Sequence, residues 1–268
     1  MPSPLLQITI QLYKERDNFA YCPETLLADM VLMAFVNDVL ESNAAAMAIL
    51  AAGQEENAVA NPHRAFSSIR TAFEAAQQAT VLVTQDDYRL AGTKAWIYYC
   101  RRDQKWLAQA KPEGSGITSL EDAENWFEEK IKSITDIWEQ VSPGKANVVR
   151  QARLDLEKQP RKPDNWLGKD MALAQDDAYK KFASLHNVAI DQSMSSTNRA
   201  IYSSMSREIH TGLRIDSSYQ VTNDANGLKV TFPPRDNSIN TKKVIRGAEL
   251  AVDEMLMALE YRAHILKK

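Results

Sequence analysis

The sequence lacks most of the features that announce a chemistry. It has two cysteines, Cys22 and Cys100, in 268 residues. Both stand beside apolar or aromatic neighbours, which fits buried free thiols in a reducing compartment and excludes a disulfide framework. No G-x-x-x-x-G-K-[ST] or G-x-G-x-x-G run is present, so there is no standard phosphate cradle. No G-x-S-x-G elbow is present either. The four histidines, His63, His186, His210 and His264, are far apart, and none lies three residues after a glutamate. That removes H-E-x-x-H zinc sites and the E-x-x-H pattern of di-iron bundles, so no metal and no cofactor are expected.

Charge of one sign is also missing. The 32 basic and 35 acidic side chains leave a net charge of -3, without the basic excess that dominates duplex-DNA binding. A long uncharged apolar run is absent. The most hydrophobic stretch, Leu26 to Ala52, is interrupted by Asp29, Asn37, Asp38 and Glu41, whereas a membrane-spanning helix needs about 20 nearly uncharged residues. Met1-Pro2-Ser3-Pro4 has no basic segment leading into an apolar one, so no signal peptide is expected. These absences point to a cytoplasmic protein without a membrane partner. What is present is ordinary for a globular chain, 44% hydrophobic and 25% charged. A chain of this length buries a core without staples.

Helical periodicity dominates. The expected fold is mainly α, an irregular helical bundle with one core over residues 1–268 and a small β-hairpin near 218–233. Leu5 to Glu15 is a short element of undecided type. Pro23 suits the first residue of a long helix ending near Gly53. Apolar positions surround most of that helix, which places it centrally. Asn61-Pro62 reads as a cap and first-turn proline for a helix reaching about Thr84. A helix over Asp86 to Ala110 follows, then a loop containing Pro112, Gly114 and Gly116. Thr118 with Glu121 forms a capping-box pattern, opening a helix that stops at Ser142-Pro143-Gly144. Further helices are expected over Ala146 to Lys158, Lys169 to about Asp191 and Ser195 to Thr211, the last closed by Gly212. Alternation around Asn223-Asp224-Ala225-Asn226-Gly227 signals the hairpin. A final helix covers Thr241 to Leu266.

Three polar constellations stand out against this apolar pattern. Arg70 and Glu74 are four apart, on one face of a helix that also carries Phe66 and Phe73. The surrounding residues, Ala65 to Ala79, are mostly apolar or small, so the pair is expected to be largely buried, either as a structural ion pair or as part of a site. Tyr202, Ser206 and His210 recur every fourth residue and form a second stripe. His210 falls in a last turn, where the helix dipole favours its protonated form. It can serve as a general acid or base, or simply cap the helix while Tyr202 and Ser206 satisfy backbone groups. Arg199 and Arg207, with Arg161 and Lys162, can bind phosphate or form a solvated face. Trp166 reads as a packing anchor.

Two of these segments carry a resemblance. Arg70-Thr71-Ala72-Phe73-Glu74-Ala75-Ala76 and Tyr202-Ser203-Ser204-Met205-Ser206-Arg207-Glu208-Ile209-His210 resemble a family of bacterial helical proteins known only as a domain of unknown function. That family shows an R-x-x-x-E helix, a Y-x-x-x-S-x-x-x-H helix and, between them, a tryptophan after a proline, as in Pro163-Asp164-Asn165-Trp166. A looser likeness is to HEPN domains, helical proteins that include ribonucleases of phage defence and toxin–antitoxin pairs. Their motif sets an arginine a few residues before a histidine. This sequence departs from it: Arg207 is three before His210 and Arg199 is eleven before it. That activity would need Arg70 to supply the arginine from a neighbouring helix.

Two readings of function follow. In one, Arg70, Glu74, Tyr202, Ser206 and His210 form an RNA-cleaving site between two core helices. In the other, the same groups are a buried network that fixes helix register, and the chain is a binding or regulatory module with a protein partner. Either is compatible with a homo-oligomer.

Overall fold

The structure, a computed structural model, describes residues 4–52, 62–159, 164–186, 220–224, 227–231 and 238–267. It is mainly helical. The helices among the described residues are α1 (Pro4–Asp17), α2 (Leu26–Ala52), α3 (Pro62–Val83), α4 (Tyr88–Ala110), α5 (Leu120–Val141), α6 (Asn147–Lys158), α7 (Met171–His186) and α8 (Ser238–Ile265). Two short strands, β1 (Gln220–Asp224) and β2 (Gly227–Thr231), pair antiparallel with Gln220 opposite Thr231 and Asp224 opposite Gly227. The chain divides into two compact units. One comprises Met1–Ile10, Asp38–Ala75 and Asp191–Asp253; the other comprises Gln11–Asn37, Ala76–Ile190 and Glu254–Lys268.

In the larger unit, apolar residues at helical spacing converge on one cluster. Leu27 of α2, Ile97 and Cys100 of α4, Phe127, Ile131 and Trp138 of α5, and Val149 and Ala152 of α6 are all buried together. The α5 stripe of Ala123, Phe127, Ile131 and Trp138 is a helical face turned to the core. Gly92 lets α4 approach α2 closely: a Cβ there would stand 2.2 Å from both Cα and Cβ of Ala28. Trp138 fills the cluster and still satisfies its indole, since Nε1 donates to the Pro23 carbonyl at 2.8 Å.

Local chemistry sets the helix ends. Asp87 caps α4, accepting from the Leu90 amide at 2.9 Å. The capping box of α5 lies one residue later than Thr118 and Glu121 suggest. Ser119 is the cap and Asp122 its partner. The reason is the reach of Asp122, whose Oδ2 accepts from the Thr118 amide, the Thr118 hydroxyl and the Ser119 amide at 2.9, 2.8 and 2.8 Å. These donors pull its pKa down to about 2. Pro23 likewise opens a short 3-10 turn, Pro23–Thr25, ahead of α2 rather than the α-helix itself.

In the smaller unit, Leu40, Asn43, Ala46 and Leu50 of α2, Phe66, Ile69, Ala72 and Phe73 of α3, and Val244, Ala248, Ala251 and Val252 of α8 are buried. Asn43 Nδ2 donates to the Ala248 carbonyl at 3.4 Å.

Candidate functional site

Arg70 and Glu74 do meet. Arg70 Nε donates to Glu74 Oε1 at 2.8 Å, one helical turn apart on α3. The expected burial of the pair is corrected, however. The Arg70 side chain is 26% and that of Glu74 41% exposed. The helix is largely sequestered, as its composition suggests, but Ser67, Arg70, Thr71 and Glu74 lie on a side left partly open, with Ser68 and Gln78 also partly exposed. Phe66, Ile69 and Phe73 take the buried side. An ion pair with this much solvent contributes about 0.2–1 kcal/mol, far below a buried pair. Tyr202, Ser206 and His210 lie outside the described residues, as do Arg161, Lys162, Arg199 and Arg207.

The fully buried charges are elsewhere, in the larger unit. Asp29 of α2 is 0% exposed. Its carboxylate takes five donors. Oδ1 accepts from Tyr88 Oη at 2.9 Å and Arg262 Nε at 3.1 Å. Oδ2 accepts from Arg262 Nη2 at 2.6 Å, the Cys22 amide at 2.8 Å and the Thr25 hydroxyl at 3.2 Å. Arg262 Nη2 also donates to the Ala20 carbonyl at 2.8 Å, and the guanidinium sits over the Phe19 ring at 4.3 Å. Burial, and then the negative charge of Asp29, hold the Tyr88 hydroxyl well above its ordinary value. A carboxylate offers about four lone-pair positions, and all are occupied. The arrangement binds segments together and leaves Asp29 no position for a solute.

Glu254 of α8 is the opposite case. It is 4% exposed and has no cation against it among the described residues. Tyr179 of α7 donates its hydroxyl to Oε1 at 2.7 Å. Oε2 is buried without a hydrogen-bond partner. Burial lifts the carboxyl to about 7, against the downward pull of the Tyr179 and Thr80 hydroxyls. Among the carboxyl groups of the described residues, this one is placed to hold or release a proton near neutral pH.

Other candidates are closed. Trp166 is a packing anchor, buried, with Nε1 donating to Gln78 Oε1 at 3.1 Å; Tyr99 donates its hydroxyl to the same oxygen. Burial, and then Asp103, push the Cys100 thiol up to about 12, which keeps it protonated and a poor nucleophile. Among the described residues no group of His, Cys, Asp and Glu could hold a metal, and no helix is long and apolar enough to cross a membrane.

Asp29, Arg262, Tyr179 and Glu254 were not singled out by motif or spacing. The signal at Asp29 was an acid among apolar residues near the start of the helical run Leu26 to Ala52. Comparison with protein-family models, curated proteins and solved structures returned no match.

Proposed function

We propose that this chain is a helical binding or regulatory module whose buried polar groups serve the fold rather than a reaction. The observation that carries this reading is the Asp29 carboxylate, saturated by donors from Arg262, Tyr88, Thr25 and Cys22. Such a network fixes how helices register against one another, a use of buried polar groups attested in other systems. The working surface is then exterior, and the sequence from Gln159 to Asn165 and the β1–β2 segment are the places we would look for a protein partner or a second copy. A cytoplasmic setting suits the free thiols Cys22 and Cys100.

A second reading is favoured by the partial exposure of Arg70 and Glu74. On a helix buried elsewhere, two charged groups stay within reach of a solute. In a HEPN-like, RNA-cleaving protein of phage defence or toxin type, Arg70 would hold a phosphate and Glu74 would orient it. His210 would move a proton, with Tyr202 and Ser206 donating hydrogen bonds.

One experiment separates the two. Purified protein and its His210→Ala variant are incubated with single-stranded and structured RNA, and both are expressed to test for growth arrest. The first reading expects intact RNA and normal growth from the wild type. RNA cleavage by the wild type, lost in His210→Ala with an unchanged circular-dichroism spectrum, would sink it and establish the second.

A further inference from the structure

The most exceptional group among the described residues is an acid in the core of the larger unit that no cation balances. Glu254 sits in the buried stripe of α8, between Ala251 and Ala258. The residues one turn away on its own helix, Leu250, Ala251, Met257 and Ala258, carry no charge. From α7 it is faced by Tyr179, which donates to Oε1 at 2.7 Å. From α3 it is faced by Thr80, whose hydroxyl donates to the Ala76 carbonyl at 3.0 Å and does not titrate in this range. No other charged or titratable group among the described residues acts on the carboxyl. The contrast with Asp29 is direct. Asp29 is held by five donors, two of them from a guanidinium; Glu254 has the Tyr179 hydroxyl on Oε1 and the Thr80 hydroxyl nearby, and its Oε2 has no hydrogen-bond partner among the described residues.

A buried carboxylate with no cation beside it is expensive, while the neutral acid costs far less. We propose that Glu254 is a proton-operated latch between α7 and α8, closed when the carboxyl carries its proton on Oε2 while Oε1 accepts from the Tyr179 hydroxyl, and loosened when that proton leaves. The proton departs from Oε2 to solvent. The Tyr179 hydroxyl keeps donating to Oε1. The negative charge then left in the core is relieved by opening the contact between the two helices and admitting water. The position of the equilibrium follows from burial, which lifts the carboxyl to about 7, so the latch responds to changes around neutral pH.

The test uses the full chain. Infrared difference spectra are recorded as pH is raised from about 5 to about 9, and amide hydrogen exchange over Met171–His186 is measured at both ends of that range. The expected result is a protonated-carboxyl carbonyl band that disappears with a midpoint near 7 and is missing from Glu254→Gln. Exchange over α7, corrected for its intrinsic pH dependence, should quicken in the wild type and stay level in the Gln variant. Tyr179→Phe supplies an independent arm. It removes the donor that favours the ionised form, so the midpoint of the band should move to higher pH. The proposal is overturned if no such band titrates in the wild type, if the band survives in Glu254→Gln, if α7 exchange has the same pH profile in both proteins, or if Tyr179→Phe leaves the midpoint in place or lowers it.

Discussion

Arg262 Nη2 stands 2.6 Å from Asp29 Oδ2 while its Nε stands 3.1 Å from Oδ1, a two-point contact between residues 233 positions apart. The guanidinium fork matches the carboxylate edge, and both groups are out of water. Because Tyr88, Thr25 and Cys22 fill what remains of Asp29, the pair ties the start of α2, the start of α4 and the end of α8 to one point in the larger unit.

Arg262→Ala should therefore be among the most damaging single changes in this unit. It strands Asp29 without its cation, and breaking a buried pair in this way costs about 3–5 kcal/mol. Urea unfolding is the measurement. The double change Asp29→Leu with Arg262→Met should recover only part of that loss: it removes the stranded charge, but the Tyr88 hydroxyl and the Cys22 amide lose their acceptor.

The pH dependence of stability should carry the mark of Glu254. In the unfolded chain the carboxyl loses its proton near 4.5; in the native protein it keeps it to about 7. Between those values the native state binds the more protons, so stability falls as pH rises from about 4.5 through 7 and levels off above. The full span corresponds to about 3 kcal/mol, at 1.36 kcal/mol per unit. Denaturant titrations at several pH values check it, and Glu254→Gln should lose most of that slope.

Gly92→Ala should destabilise the larger unit by about 1–3 kcal/mol or more, since the new methyl would overlap Ala28 and force α4 away from α2. Adding Ala28→Gly should not restore it, because the Ala28 Cα is as close as its Cβ. Thermal unfolding of the single and double variants decides the point.

Trp138→Phe should cost about 0.5–1.5 kcal/mol beyond the lost ring volume, the net worth of one hydrogen bond, because Pro23 is exposed and its carbonyl exchanges the indole donor for water. A variant as stable as the wild type in urea would mean that the indole bond adds nothing over water.

The helices were legible because each carries its own evidence. The spacing of Phe127, Ile131 and Trp138 states both that α5 is a helix and which side is inward. The start of α5 was readable only to within a residue, since Thr118 and Ser119 are both good caps and the choice turned on where the Asp122 carboxylate could reach. Arg70 and Glu74 were legible as a pair, because four residues make one turn. Their exposure was not, since the composition of Ala65 to Ala79 tells how much of the helix is covered and not which stripe is left open.

By itself, then, the sequence determined that the chain is mainly helical, where most of its helices lie and that its thiols do not staple it, since periodicity, caps and cysteine usage act over a few residues. The tertiary structure alone decided which charges matter. Asp29 and Glu254 look alike in sequence, each an acid among apolar helical neighbours. One meets Arg262 from 233 residues away and sits in a saturated network. The other meets the hydroxyls of Tyr179, from 75 residues away, and Thr80, with no cation among the described residues, and is left to hold a proton. That difference is a matter of which partner the fold delivers, because the electrostatic cost of a buried carboxylate is set by what surrounds it in space.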